Sequence, residues 1–455
     1  MKYSTALVVA TASAVNAGFC NDAFEEFGNF FCPNAVKQVK YSGLDIAGKY
    51  RAVAQMDNNG LCTFQDKDYS GPIAPFDEDL TLHFRGPLEL KTVAIFTPSS
   101  GPSKREVQRP HTKRHGHQHL HKKHHQHAKA EKREDMVVAT IDGQVVSWVN
   151  NYFGGAAETP APAPAPAPAD PAPSPEPPAP EPASPAESYP EASPPPPTDS
   201  APVDVPAGDF QRIAYYNAKD QVADGLVFLG NFGDPAISGT WDTVWGASLA
   251  YANEEGTGAA PSPTVLKDCR IDDTKEIVIA SDQKCDESCG AVRPGSVAYK
   301  GFGGANKVFL TEFSMPLSGQ TGWNMDMPAY WLLNGAIPRT GQYSKCSCWA
   351  GDNASPQEGG CGEADIIEVL RSGDTKAKST FHFAAGTGDS HYFDRPTDKT
   401  MKVAVVFQAS SSTASIKVLS DDFDMTGTSL TSDQVEDMIN DEPDVNLFSL
   451  MTFGA

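Results

Sequence analysis

After its N-terminal segment the chain has no uninterrupted run of about 20 apolar residues, the length a membrane-spanning helix needs, so no membrane span is expected. It is short of positive charge. Its 36 Lys and Arg residues stand against 58 Asp and Glu, a formal net charge of −22, which argues against nucleic acid or another polyanion and suits a neutral ligand. Helical periodicity is scarce beyond Ser432 to Ile439. The usual zinc-ligand spacing is missing too: Cys346-Ser347-Cys348 does not have it and no histidine pair accompanies it. The nine cysteines therefore read first as disulfides of an oxidising compartment, with an N-terminal group of three, a C-terminal group of six, and at least one left over or paired between chains.

What is present divides the 455 residues into unlike segments. Lys2, the apolar run from Ala6 to Val15 and the small residues Val15-Asn16-Ala17 read as a secretory signal over 1–17. The C-terminal stretch Leu447 to Ala455 is too short and interrupted for a lipid-anchor signal, so the mature protein is expected to be extracellular, with no membrane anchor. Residues 18–100 are strand-like, with Tyr50 to Gln55, Leu80 to Phe84 and Leu88 to Phe96 set apart by Gly, Pro and Asn. Residues 101–135 are basic and hold eight of the eleven histidines, a composition that packs no core. Such a cluster can gather on a transition metal, but a solvated spacer is the first reading. Its dibasic pairs Lys104-Arg105, Lys113-Arg114 and Lys132-Arg133 are accessible to a processing endoprotease. An intact N-terminus before residue 134 on the secreted protein would rule out cleavage after Arg133. Residues 136–154 form a short β segment around Asp142-Gly143, and residues 155–208 an Ala/Pro-rich linker expected as semi-rigid polyproline. The main domain is expected over 209–455. Short alternating runs there, such as Val308 to Phe313 and Met401 to Gln408, indicate on pattern alone an all-β sandwich or barrel.

The chemistry gathers in Gly362-Glu363-Ala364-Asp365-Ile366-Ile367-Glu368-Val369-Leu370. As a strand it projects Glu363 and Asp365 from one face. Strict alternation would aim Glu368 the other way, into the core, at a cost of several kcal/mol. A β-bulge at Ile366-Ile367 restores its facing. The two glutamates then stand four strand positions apart, roughly 13 Å between Cα atoms at about 3.3 Å each. Side chains leaning inward bring the carboxyls to about 5 Å, the separation of a retaining glycosidase. The central Asp365 would hydrogen-bond or repel its neighbours so that their pKa values separate, one ionised to attack and one protonated to donate. Solvent-facing acids on an edge strand are the competing reading.

Glu363-Ala364-Asp365-Ile366-Ile367-Glu368 resembles the E-x-D-x-x-E signature of glycoside hydrolase family 16, the β-jelly-roll enzymes acting on β-1,3-glucan and related chains. Met327 to Asn334 resembles that family's strand with a cleft tryptophan. Cys346-Ser347-Cys348-Trp349, then Cys361-Gly362-Glu363, with the upstream β region and long linker, is similar to the fungal cell-wall proteins described as "probable" circularly permuted 1,3-β-glucanases. The resemblance implies a concanavalin-like jelly-roll sandwich, circularly permuted, with disordered linkers, whose later strands are completed by the 18–100 region. Cleavage after Arg133 must then leave the two pieces associated. It implies Glu363 as nucleophile, Asp365 as assisting acid and Glu368 as general acid/base, with β-glucan as partner, hydrolysis or transglycosylation as reaction, and cell-wall remodelling as role. A glucan-binding wall protein without turnover is the rival from another class. No organic cofactor is implied, and a structural calcium is compatible with the resemblance, without assignable ligands.

Around the acids, Trp331 alternates with Tyr330 and Leu332 and, given the resemblance, lines the cleft rather than the core, where it can stack on a sugar face. If Phe381 and Phe383 face the core, His382 points the other way, toward a substrate hydroxyl or a carboxylate; a satisfied structural histidine is the competing reading. Pairing of Cys361 with Cys346 or Cys348 would close a loop of roughly 13 to 16 residues, worth about 3 kcal/mol in the chain-entropy model. Asn353-Ala354-Ser355 inside it is the only glycosylation sequon, which places that loop on the surface.

Overall fold

Alternation of apolar and polar residues makes a strand that buries one face, and a strand apolar on both faces must be covered on both. A computed structural model describes residue 20 and residues 22–99, 136–141, 144–149, 209–352, 355–356 and 359–453. The signal segment, the histidine-rich segment with its dibasic pairs, the Ala/Pro tract and Asn353 lie outside the described residues. In chain order the longer sandwich and hairpin strands are β1 (Gln38–Ser42), β2 (Gly48–Met56), β3 (Cys62–Tyr69), β4 (Leu80–Arg85), β5 (Leu88–Pro98), β6 (Phe210–Asn217), β7 (Leu226–Gly230), β8 (Glu276–Ser281), β9 (Lys307–Ser314), β10 (Ala329–Asn334), β11 (Glu363–Val369), β12 (Lys376–His382), β13 (Met401–Gln408), β14 (Thr413–Val418) and β15 (Phe448–Thr452). Met136–Ile141 pairs antiparallel with Gln144–Val149, apart from the two large sheets, and Asp142-Gly143 lie outside the described residues.

The strands form two ten-stranded sheets. One runs β6-β5-β9-β13-β14-β1-β15, antiparallel except where β1 meets β15. The other runs β7-β8-β4-β10-β11-β12, antiparallel throughout. Short strands extend their edges, and β2 pairs with β3 outside both. Between the sheets lies one apolar core. Phe309, Phe313 and Phe407 come from the first sheet and Leu82, Phe84, Tyr330 and Phe381 from the second. Each such side chain contributes roughly 1.5–3 kcal/mol on full burial.

The N-terminal strands sit inside this arrangement. β4 lies between β8 and β10, β5 between β6 and β9, and β1 between β14 and β15. The sandwich thus spans residues 38–98 as well as 209–455, and residues 209–455 alone would leave each sheet divided. Beneath the first sheet, helix α1 (Ser432–Ile439) opens on a capping box in which Thr431 and Gln434 satisfy each other's backbone amides. Its Val435, Met438 and Ile439 cover the outward residues Phe96, Leu310 and Val406. That leaves the outer face of the second sheet for the site.

Candidate active site

Strand β11 carries the acids, and its register decides where they point. Against β10, Trp331 stands opposite Asp365 and Tyr330 opposite Ile367, so Ile366 is the extra residue. Against β12, Asp365 pairs with Thr380 and Glu368 with Lys378, three steps on one strand for two on the other. This is a β-bulge at Ile366-Ile367. Both isoleucines are fully buried in the core, and Glu363, Asp365 and Glu368 together line a cleft of about 510 Å³ on the opposite face. Gly362, at φ +107°, lets the chain turn into β11 through backbone space that a side chain would strain.

Each acid has its own partner. The Trp349 indole N–H donates to Glu363. His382 Nε2 lies 3.0 Å from Asp365 Oδ2. Arg85 Nη2 donates to Glu368 Oε1 at 3.1 Å while its Nε is held by the Met327 carbonyl at 2.9 Å. Burial first, and the Asp365 carboxylate next, push Glu363 well above the usual carboxylate range, against the opposing pull of His382 and the Trp349 donor. The same two causes push Glu368 up to about 6, opposed by Arg85. Glu368 adds a smaller upward push on Glu363, because a neighbouring carboxylate makes ionisation harder.

Trp331 belongs to the cleft floor. It is 5 % exposed, lines the cleft, stacks on the His83 ring at 5.1 Å between centroids, and has the Arg85 guanidinium 5.9 Å from its own ring. Its indole N–H is buried with no hydrogen-bond partner among the described residues. His382 also lines the cleft, on the outer face of β12 with Lys376, Lys378 and Thr380, while Ala377, Ser379 and Phe381 alternate inward.

Cysteine pairing shapes the approach. Cys348 bonds Cys361 across 13 residues, which holds Trp349, next to Cys348, against the start of β11. Cys346 bonds Cys62, 284 residues away, and so joins the N-terminal group of cysteines to the C-terminal one. The expected division into two groups therefore does not describe the pairing. Cys20–Cys32 and Cys285–Cys289 complete the set, and Cys269 is the free thiol. Among the described residues no group of three or more His, Cys, Asp and Glu side chains is placed to hold a metal.

Several site residues escaped the sequence reading. Arg85 and His83 lie with Thr81 on one face of β4, opposite Leu80, Leu82 and Phe84; that alternation is visible in the sequence, but its destination is not. His83 Nδ1 meets Glu276 Oε1 at 2.8 Å, Gln342 donates to the same oxygen at 2.8 Å, and the Tyr343 hydroxyl donates to Oε2. Burial raises the Glu276 pKa, yet these donors outweigh it and hold the group below its ordinary value. Glu276 thus stays ionised beside a cleft whose two glutamates are pushed the other way. Trp349 was unreadable because its place depends on the disulfide.

The comparisons with known proteins cover both halves of the sandwich. A family model described as "Cell wall protein YJL171C/Tos1, C-terminal" matches residues 208–438, and its N-terminal counterpart matches residues 37–98. A protein of Arthroderma benhamiae named "Probable circularly permuted 1,3-beta-glucanase" is 37 % identical over 99 % of this chain and 100 % of its own length. Two named "Probable circularly permuted 1,3-beta-glucanase TOS1" are similar as well. That of Candida albicans is 37 % identical over 90 % of this chain and 92 % of its own. That of Saccharomyces cerevisiae is 34 % identical over 95 % of each. No solved structure matches.

Proposed function

From the premise that this chain belongs to the YJL171C/Tos1 family of cell wall proteins, we propose that it is a secreted fungal cell-wall enzyme that acts on β-1,3-glucan by a retaining double displacement. The observation that carries this reading is the bulge in β11, which turns Glu368 from the core onto the cleft face beside Glu363 and Asp365. A solvent-facing acidic strand would have no reason to bury its carboxylates against Arg85, Trp349 and His382.

Glu363 attacks the anomeric carbon while Glu368 gives its proton to the departing glycosidic oxygen, leaving a covalent glycosyl-enzyme. Glu368, now ionised, takes a proton from the incoming water or sugar hydroxyl, which displaces Glu363 with a second inversion. Asp365, held by His382, raises both glutamates and so resists ionisation of the two together. The upward shift at Glu363 opposes its ionisation, and the productive form is the one with Glu363 ionised and the proton on Glu368. The Trp349 N–H stabilises that form, because a donor favours the ionised carboxylate.

Linear β-1,3-gluco-oligosaccharides, followed for product length and anomeric configuration, test the reading. First-formed β products support retention, with shorter chains marking a hydrolase and longer ones a transglycosylase. First-formed α products would refute the double displacement, and absence of turnover across several β-glucans would leave a wall-binding protein.

The pH profile gives a second test. As an acid, Glu368 must be protonated in the first step while Glu363, which burial pushes up, must be ionised, so activity should fall as rising pH removes the last proton from the two, at or above the Glu368 value of about 6. Arg85 holds that pKa down; Arg85→Met should therefore move the alkaline limb of kcat/KM to higher pH. An unmoved limb would remove Glu368 from the acid role.

A further inference from the structure

We propose that the N-terminal aromatic hairpin, Phe24–Glu26 paired with Asn29–Phe31, is a second glucan-binding element that extends the cleft on its Glu368 side. The proposal rests on the glucan-active reading of the cleft. The hairpin pairs Phe24 with Phe31 and Glu26 with Asn29, and the Cys20–Cys32 disulfide closes its open end. It stands on the same face of the sheet as the acids. Glu26 binds Lys376 Nζ at 2.7 Å, and Lys378 Nζ donates to the Phe30 carbonyl at 2.9 Å. Both lysines share the outer face of β12 with His382, and Lys378 is the register partner of Glu368. Past the end of β11, the Arg371 guanidinium lies 3.6 Å from the centre of the Phe27 ring.

Much of the hairpin's aromatic surface is left uncovered by its own packing. Phe31 alone is buried, with its ring edge-on to Tyr392 at 5.8 Å. Phe24, Phe27 and Phe30 remain 41 %, 43 % and 53 % exposed within eight residues, an apolar concentration of the kind that marks an interaction site. Phe27 is also in the wrong place for a turn residue. Phe27-Gly28 form the two-residue loop with φ of +51° and +83°, where asparagine followed by glycine is the favoured pair and a bulky side chain is strained. A phenylalanine kept at a strained, exposed tip is explained by what its ring meets.

A glucan chain is the occupant that this position favours. Lys378, opposite Glu368 in the register, and Arg371, just past the end of β11, place the patch on the Glu368 side of the cleft. Its rings offer flat apolar faces to the C–H faces of sugars, and its cations are already engaged with the hairpin itself. A chain long enough to pass Glu368 reaches it, whereas a short oligosaccharide held over the acids does not.

The test is a Phe27→Asn/Phe30→Thr variant of the full secreted chain, compared with wild type on soluble β-1,3-glucan polymer and on short β-1,3-oligosaccharides. Asparagine suits the left-handed tip and threonine suits the strand, so the thermal midpoint should hold or rise. The expected result is a roughly tenfold rise in KM on the polymer, with kcat kept and short-oligosaccharide kinetics unchanged, and recovery in Phe27→Tyr/Phe30→Tyr. Equal kinetics of variant and wild type on the polymer would overturn the proposal while leaving the cleft reading intact. So would a loss of the same size on every chain length. A wild type that neither binds nor cleaves any β-glucan would overturn the cleft reading and the proposal with it.

Discussion

Glu363→Gln is expected to lower turnover of β-1,3-glucan by a factor on the order of 10⁴ or more, the scale of loss when a covalent nucleophile is removed. The amide keeps the shape of the carboxyl and still offers an oxygen to the Trp349 N–H, so the cleft should stay formed. It also removes a group whose ionisation in this site works against burial and Asp365, so the thermal midpoint should hold or rise. Release of reducing ends, measured beside thermal unfolding, separates the possibilities. A lost activity with an unchanged midpoint supports the nucleophile. An unchanged activity would exclude it, and a lower midpoint would make Glu363 a structural acid.

Glu368→Gln should behave differently. Without a proton donor, cleavage of the natural glucan should fall by about 10²–10⁴. A glucoside with a strongly acidic phenol as leaving group needs no protonation, so its first step should persist, and the glycosyl-enzyme should accumulate because no base remains to activate water. A burst of phenol equal to the enzyme present, followed by slow turnover, is the expected trace. Equal losses on both substrates would mean that Glu368 does not act on the leaving group.

The sequence carried some of this geometry and not the rest, for physical reasons. The bulge was legible because Glu368 is out of phase with Glu363 and Asp365, and only an extra residue keeps a carboxylate out of an isoleucine-lined core. Helix α1 was legible from its period, and its capping box is local. The inward course of Phe381 and the outward course of His382 follow from strand alternation. Strand partners leave no such local mark. Nothing in Leu80–Arg85 says that it will lie between β8 and β10, so Arg85 could not be brought to Glu368, nor His83 to Trp331. Cys346 had a nearer cysteine available at 361 and instead bonds Cys62, because the hairpin of β2 and β3 is folded toward the loop before β11. That contact exists only in three dimensions.

The Cys62–Cys346 bond also changes what proteolysis could mean for this molecule. All residues from 100 to 208 lie between its two ends, so one cut there yields two polypeptides and no separation: β5 stays between β6 and β9, and the sulfur bridge holds the pieces as one covalent body. In an oxidising wall such a nick would be silent to size and to catalysis. Under reducing conditions the same molecule would retain its halves only by strand pairing and core contact, and a break in the chain would be converted from a scar into a subunit boundary.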